Sequence, residues 1–373
     1  MLARVEAIRE VLIASSSESE RLRTLAPRAI AALAGSGLWL FKSPVEVGGA
    51  EADPLVQMDV IEAVTVLDPV AAWCLFIGAS VVGSASARLP AEGLAELWSG
   101  ADAPRMAGSL QPGGTATRVD GGFRISGRWG WSSGINHATW VNALCRVEGE
   151  QAPPIVAVVP RRDVEVQDTW YTMGMRGTGS ADYSIADVFV PNHRLLGAQR
   201  RGGPLYGLGM PSFVLNEHAS FALGVARRCL DAVVTLAGSK KRGYIKERTI
   251  ADRDVFRRLV GRNEVRWQAA RAAIRASYAA VWAHVRAGVA PTPDQVLQLR
   301  AMATFVNDEA LDIVAQAHRY AAGTAAFSDN ILAQGLADLQ VASAHLMVSD
   351  TAFEAYGAAR LGFATDPSIA GIN

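Results

Sequence analysis

The spacing of hydrophobic residues changes twice along the chain. In the first part, Leu22, Leu25, Ala29 and Leu33 recur at three- and four-residue steps, which predicts one face of an amphipathic helix. In the middle part, residues 140–144 and 155–159 fall in runs with the period-two pattern of strands that bury one face. After about residue 204 the helical spacing returns, so we expect helices, then a sheet, then helices again.

Turn residues divide the chain into three predicted domains. A helical domain covers residues 1–103 and includes a helix over 54–67. Glycine- and proline-rich turns crowd residues 104–203, which predicts short strands in an antiparallel sheet or small barrel. Residues 204–373 contain long alanine-rich helices predicted over 221–236, 255–285, 293–317 and 333–356, typical of an up-and-down bundle. The predicted class is α+β, mostly α.

Residues 69–87 carry no charge and nearly reach membrane-spanning length. The segment contains glycines and serines, and no basic cluster flanks it. We interpret it as a buried helix of a helical domain and predict no membrane partner.

Charge and cysteine content narrow the class of protein. The 373 residues carry no formal net charge, so a nucleic-acid partner is not expected. The three widely spaced cysteines, Cys74, Cys145 and Cys229, form no CxxC pair and indicate neither a disulfide framework nor a zinc site. They are typical of buried thiols in a reducing cytoplasm, and no histidine and carboxylate spacing predicts a metal.

Five motifs in a fixed order carry a resemblance to a known family. They are AGSLQPGG (107–114), DGGFRISGRW (120–129), SGINHATW (133–140), TMGMRGTGS (172–180) and DVFVP (187–191). In this order and spacing the chain resembles the acyl-CoA dehydrogenase superfamily, and within it the flavin-dependent monooxygenases that receive reduced flavin from a separate reductase. Several linked motifs are far more specific than one glycine turn.

The resemblance implies a fold, a cofactor and a reaction. It implies an N-terminal helical domain, a central β-domain and a C-terminal four-helix bundle, with flavin between sheet and bundle and a homotetramer or homodimer as the assembly. Reduced FMN or FAD and O2 are the implied cofactors, reacting through a flavin C4a-hydroperoxide. The expected reaction inserts one oxygen atom into a small aromatic or amine substrate, as in natural-product biosynthesis.

The resemblance also assigns residues to the flavin. Trp131, Ser132 and Ser133 match the loop against the isoalloxazine ring, although Ser132 and Ser133 could also serve only the turn at Gly134. The other matched positions are Ser109 at the ring edge, Thr178 and Ser180 in the second glycine turn, and Arg242 at the flavin phosphate. An arginine suits phosphate because its guanidinium forms two parallel hydrogen bonds.

His345 is the expected catalytic residue. Acyl-CoA dehydrogenases that use a C-terminal glutamate place it about two turns after an Arg-Asp pair, and this chain has Ala337-Asp338 before His345. The monooxygenase branch typically has histidine there, and imidazole can hydrogen-bond a peroxide or deprotonate a phenol near neutral pH. The alternative is a histidine on a helix surface.

The chain departs from the branch at two places. No histidine follows Trp73, where many relatives carry one, and Gln334 and Ala337 stand where arginines are common. These changes suggest a more apolar substrate. They also leave two rivals open, namely an acyl-CoA dehydrogenase-like desaturase and a flavin-free catalyst or binding protein on the same scaffold.

Overall fold

The computed structural model describes residues 1–241 and 249–363. Its first part is helical, with α1 (Leu2–Ala7), α2 (Arg9–Leu22), α3 (Pro27–Gly35), α4 (Pro54–Leu67), α5 (Pro69–Arg88) and α6 (Ala91–Leu97). The predicted helix at 54–67 is confirmed. The apolar stripe from Leu22 to Leu33 is divided between α2 and α3, because Arg23 takes a left-handed conformation at φ 53° and Pro27 begins the next helix.

The uncharged segment forms α5, which is mostly buried. Helix α5 is long and apolar enough to span a membrane by composition alone, but 83% of its most apolar window lies inside the protein. Asp68 caps its N-terminus and accepts hydrogen bonds from the Val70 and Ala71 amides. The prediction of a buried core helix is therefore confirmed.

The middle of the chain forms one seven-stranded sheet. Its strands are β1 (Met106–Gly108), β2 (Gly114–Val119), β3 (Gly122–Trp129), β4 (Trp140–Val147), β5 (Ile155–Pro160), β6 (Glu165–Gln167) and β7 (Asp182–Pro191). The order is β1-β4-β2-β3-β7-β6, with β5 on β4. Both β1 and β2 pair with β4 in parallel, so the sheet is mixed, whereas the sequence predicted an antiparallel sheet or small barrel.

Helices return after the sheet. They are α7 (Ser212–Ser239), α8 (Asp254–Arg286), α9 (Pro293–Ala321), α10 (Ile331–Ser343) and α11 (Thr351–Arg360). The single helix predicted over 333–356 was wrong, because the chain breaks after Ser343 into a short 3₁₀ turn, Leu346–Val348, before α11. The predicted order of helices, sheet and helical bundle is confirmed.

One hydrophobic cluster joins the N-terminal helices to the bundle. It contains Leu12 of α2, Trp73 and Phe76 of α5, Phe221 of α7 and Leu339 of α10. A separate cluster fills the interior of the sheet. Helix α7 thus packs between the N-terminal helices and the remaining bundle, and any site at the α5–α7 contact is built by both ends of the chain.

A buried ion pair crosses this contact. Both side chains of Lys42 and Glu217 are fully buried, and Nζ lies 2.7 Å from Oε2. Nζ also donates to the Phe213 carbonyl, and Ser80 donates to Glu217 Oε2 at 3.2 Å. Burial raises the pKa of Glu217 to about 7, against the opposing effect of Lys42, and it lowers the pKa of Lys42.

Replacing Lys42 alone should destabilise the fold strongly. Lys42→Met leaves Glu217 buried without its cation, and breaking a buried pair in this way costs about 3–5 kcal/mol of unfolding free energy. The double variant Lys42→Met/Glu217→Leu should recover much of that loss, since no charge then remains. Urea unfolding of both variants measures the difference, and additive losses in the double variant would contradict the buried-pair account.

Candidate active site between α5, α7 and the α10–α11 break

Five ring side chains meet where α5 and α7 approach the break after α10. Trp73 makes edge contacts with Phe221 at 5.1 Å, His218 at 5.3 Å and His345 at 5.8 Å between ring centroids. Phe76 contacts Trp73 and His218. The two imidazoles lie 4.5 Å apart with a 30° tilt. We call Trp73, Phe76, His218, Phe221 and His345 the ring cluster.

The break in the predicted C-terminal helix determines how the His345 ring is hydrogen-bonded. The residue caps the turn Leu346–Val348, and its Nδ1 accepts the Met347 amide at 3.3 Å. Burial lowers the pKa of His345 to about 4, so the ring is neutral at neutral pH. Because Nδ1 is the acceptor, the proton of the neutral ring sits on Nε2. His345 therefore presents a hydrogen-bond donor, and it does not lie on a helix surface.

His218 is the member of the ring cluster to which sequence reasoning gave no role. It is only 3% exposed and makes no hydrogen bond within the described part of the chain. Burial lowers its pKa well below the ordinary value, with His345 and Lys42 adding to the effect. A usable signal existed, since Glu217 and His218 directly precede the mostly apolar run 219–226, and buried polar residues are uncommon without a partner.

Three hydroxyl groups link Trp73 to the sheet side of the site. Trp73 Nε1 donates to Ser133 Oγ at 2.9 Å, and the Ser133–Ser180 and Ser180–Thr178 oxygen pairs are each 2.7 Å apart. Thr178 donates its one proton to the Met175 carbonyl at 2.8 Å. Ser180 must then donate to Thr178, and Ser133 to Ser180. We call this run, from Trp73 to Met175, the hydroxyl chain.

The hydroxyl chain changes what the predicted flavin residues can offer. Ser133, Ser180 and Thr178 lie together as predicted, but each hydroxyl proton is already used within the chain. Ser133 is 8% exposed and Thr178 is fully buried. These three hydroxyl groups therefore have no proton left to donate to a bound ligand.

Trp131 and Ser132 have features that fit an aromatic cofactor. Trp131 is 63% exposed and has φ 57° at the turn, which leaves a large apolar ring without cover. The Ser132 hydroxyl is fully buried and lacks a hydrogen-bond partner among the described residues. Ser109, in the first motif at residues 107–114, is half-buried, and its hydroxyl accepts a hydrogen bond from the Gln111 amide at 3.3 Å. An uncovered ring beside an unpaired hydroxyl suits a flat heterocycle with polar edges.

Carboxylates hold the loop at residues 173–180. Asp338 accepts the Met175 amide at 2.5 Å, and Glu20 accepts the Gly177 amide at 3.2 Å. Burial raises the pKa of Asp338 to about 7, and Glu20 raises it further. Gly174 approaches α10 so closely that an added Cβ would lie 2.2 Å from the Ala337 carbonyl. The glycine is therefore required by packing.

The other predicted positions have different outcomes. Ala337 gives its backbone to the Gly174 contact, and Gln334 is half-buried on α10. Arg242 lies outside the described residues. The three cysteines are buried and unpaired, as predicted. Among the described residues, no group of three or more histidine, cysteine or acidic side chains is placed to hold a metal ion.

Comparison with known proteins places this geometry in a family. Residues 217–350 match the family of the acyl-CoA dehydrogenase C-terminal domain. Indole-3-acetate monooxygenase of Pseudomonas putida is 29% identical over 350 residues, which cover 92% of this chain and 89% of that protein. The oxygenase component of the FADH2-dependent resorcinol hydroxylase of Rhizobium sp. is 30% identical over 64% of this chain and 62% of its own length.

A solved structure agrees along almost the whole chain. XiaF from Streptomyces sp., determined with FADH2 and glycerol, matches with a TM-score of 0.88 and 26% identity, covering 97% of this chain and 95% of its own. The fold is that of the acyl-CoA dehydrogenase superfamily, whose C-terminal domain family matches residues 217–350. Along most of its length the chain is similar to flavin-dependent monooxygenases, among them the oxygenase component of the resorcinol hydroxylase.

Removing Ser180 should weaken the hydroxyl chain at its centre. Ser180→Ala takes away the acceptor for the Ser133 proton and the donor to Thr178, and unpaired buried polar groups cost about 1–3 kcal/mol. We expect a loss of that size in the free energy of unfolding. The control is Ser99→Ala at an exposed serine, which should change stability by less than about 0.5 kcal/mol. Equal effects in the two variants would contradict the proposed chain.

Replacing Asp338 should change how stability depends on pH. The folded-state pKa of Asp338, about 7, is above the unfolded value of about 3.9. Between these values the folded state binds more protons, so this group lowers stability as pH rises. Asp338→Asn keeps an oxygen for the Met175 amide and does not titrate. Its unfolding free energy should rise relative to the wild type from pH 4 to pH 8, and a constant difference would contradict the raised pKa.

Proposed function

We propose that this protein takes reduced FMN or FAD from a separate reductase and uses O2 to insert one oxygen atom into a small aromatic substrate. The observation that carries the proposal is His345, a neutral imidazole held as a donor beside an aromatic wall. A desaturating acyl-CoA dehydrogenase needs a carboxylate base, whereas a monooxygenase needs a donor toward reduced oxygen. The bound flavin supplies the two electrons of the reaction.

The residues around the proposed cofactor have separate tasks. The Trp131–Ser132 turn is the proposed flavin wall, with Ser109 near the ring edge and Arg242 at the phosphate. The loop at 173–180 is proposed to lie against the flavin and the substrate, where the buried side chains of Ser180 and Thr178 keep its shape. Holding the loop in one conformation reduces the ordering that binding would otherwise require.

The ring cluster is proposed to bind the substrate and keep water out. Edges and faces of Trp73, Phe76 and Phe221 suit a planar aromatic ring, and a dry site prevents loss of reactive oxygen to solvent. The relatives named above act on indole-3-acetate and resorcinol, both aromatic. His218 places a polar ring beside Trp73. The absence of a histidine in the residues after Trp73 therefore does not make the site wholly apolar.

The desaturase reading has less support from the structure. Glu354, the first glutamate after His345 along the chain, is exposed on α11. Asp338 is buried, and its carboxylate accepts a hydrogen bond from the Met175 amide. Neither is placed as a base beside the ring cluster. A flavin-free role would leave the uncovered Trp131 ring and the unpaired Ser132 hydroxyl without a ligand.

The assembly and the place of action are part of the proposal. We expect a homotetramer or homodimer, since Arg242 would then reach the flavin phosphate across a subunit interface. The buried, unpaired cysteines suit a reducing cytoplasm.

Activity should depend on flavin reduction and on His345. Purified protein supplied with a flavin reductase, NADH and FMN or FAD should convert resorcinol or indole-3-acetate to a product that gains one oxygen atom from labelled O2. His345→Phe should lower product formation about 100-fold or more, the contribution typical of a placed proton donor. Oxygen uptake should continue, with hydrogen peroxide released instead.

The controls separate binding from chemistry. His284→Gln, at an exposed histidine of α8, should leave product formation unchanged. Mass spectrometry of the product and a peroxide assay give the two yields. Failure of the wild-type protein to bind reduced FMN and reduced FAD would overturn the proposal.

A further inference from the structure

We propose that His218 accepts the proton of an aromatic substrate's hydroxyl or ring N–H group, while His345 faces the same substrate as a donor. The inference rests on the proposed function and deepens it, because it names the substrate class as aromatics with an ionisable O–H or N–H. It also divides between two imidazoles the roles that the sequence suggested for His345 alone.

The hydrogen bonding of His345 argues against its acting as the base. Its Nδ1 lone pair accepts the Met347 amide at 3.3 Å, and its Nε2 therefore carries the proton. Neither nitrogen of this tautomer has a free lone pair to take a proton from a substrate. His345 can stabilise negative charge but has no open position for another proton.

His218 has the free lone pair that His345 lacks. Its ring is 3% exposed, and neither nitrogen has a hydrogen-bond partner in the part of the chain that the structure describes. Buried polar groups are normally partnered, because an unpaired one costs free energy. The Trp73 N–H already donates to Ser133, and Phe76 has no polar atom. His345 is the nearest ring, at 4.5 Å between centroids, but it makes no hydrogen bond with His218 among the described residues. The His218 nitrogens are not among the fully buried side-chain atoms that lack a partner, so a water molecule or a bound ligand can reach them.

The surrounding charges suit a proton transfer that creates an ion pair. Three titratable groups face His218: His345 across the ring contact, Lys42, and the neighbouring Glu217, which is bound to Lys42. Burial keeps the His218 imidazole neutral, so a lone pair is available at neutral pH. An isolated imidazolium here is unfavourable, but one formed beside an aromatic anion has a compensating charge.

The step balances within the substrate and one side chain. The substrate O–H or N–H bond breaks, an N–H bond forms on His218, and the electron pair stays on the substrate heteroatom. The resulting anion is more electron-rich at its ring carbons, which favours attack on electrophilic oxygen. His345 Nε2–H remains available to the oxygen atom that is being reduced.

A binding experiment tests the proton transfer without turnover. para-Nitrophenol is the probe, because its phenolate has a visible absorption band that the phenol lacks. At a pH where the free probe is mostly protonated, wild-type protein should produce the phenolate band on binding. His218→Phe should bind the probe without the band, whereas His345→Phe and His284→Gln should retain it. No binding to the wild-type protein, or equal bands in wild type and His218→Phe, would overturn the proposal.

A second measurement separates this inference from the proposed function. With resorcinol, His218→Phe should lose about 100-fold in product formation while it continues to consume O2. With a series of increasingly acidic phenols, the deficit should shrink, because such substrates ionise without help; a purely structural role would give a constant deficit. A constant deficit overturns the role of His218 and leaves the monooxygenase proposal standing.

The variants at position 218 must be shown to keep the fold. Thermal unfolding of His218→Phe shows whether the fold is kept, and His218→Gln serves for the comparison if the phenylalanine variant melts early. If the wild-type protein ionises para-nitrophenol through His218 but oxygenates no phenol, the proposed function fails and the proton-acceptor role is supported.

Discussion

The hydroxyl chain is the interaction on which the site geometry depends. It begins at the Trp73 N–H on α5, passes through Ser133 and Ser180, and ends at the Met175 carbonyl by way of Thr178. Each hydroxyl proton has one acceptor, so the run can be satisfied in one direction only. It thereby fixes the rotation of the Trp73 ring, and both imidazoles pack against that ring.

The loop that carries Thr178 and Ser180 is held at a cost to stability. Asp338 and Glu20 accept its amides from α10 and α2, and burial raises the pKa of both carboxyl groups. A pKa raised by burial means that the charged form of the carboxyl group is less stable in the folded protein, so its ionisation lowers stability. The physical gain is the position of the loop, since α10 and α2 both hold it in place. Preorganisation of this kind is commonly achieved at the expense of stability.

The sequence predicted what depends on short-range pattern and missed what depends on long-range packing. Period-two spacing predicted the strands β4 and β5, because the pattern reports one buried face. The absence of charge over residues 69–87 predicted the buried helix α5. Helical spacing joined α10 to α11, since residues 333–356 keep an apolar stripe through the break and contain no glycine or proline at residues 344–350. The parallel pairing of β1 and β2 with β4 was also missed, because the sequence of a single short strand does not report which strand it pairs with or in which direction.

The candidate site shows the same division. Ser133, Ser180 and Thr178 were predicted from motifs, and they lie together, but the hydrogen bond between Ser133 and Ser180 joins residues 47 positions apart and has no local signature. His218 was passed over for a related reason. Its ring contacts Trp73 and Phe76 from a helix some 140 positions away, and spacing on α7 alone says only that the face is buried.

The two imidazoles differ in their hydrogen bonding because one follows a helix end and the other lies inside a helix. His345 sits where a helix ends, so a free amide two residues on satisfies Nδ1 and sets the tautomer. His218 sits inside α7, where the backbone amides and carbonyls are already paired with one another, and its ring nitrogens have no local partner. A helix end therefore produces a fixed donor, whereas a ring inside a helix depends on tertiary contacts, solvent or a ligand for its hydrogen bonds. Chemistry at this site is consequently set by where the C-terminal helix breaks, as much as by which residues are present.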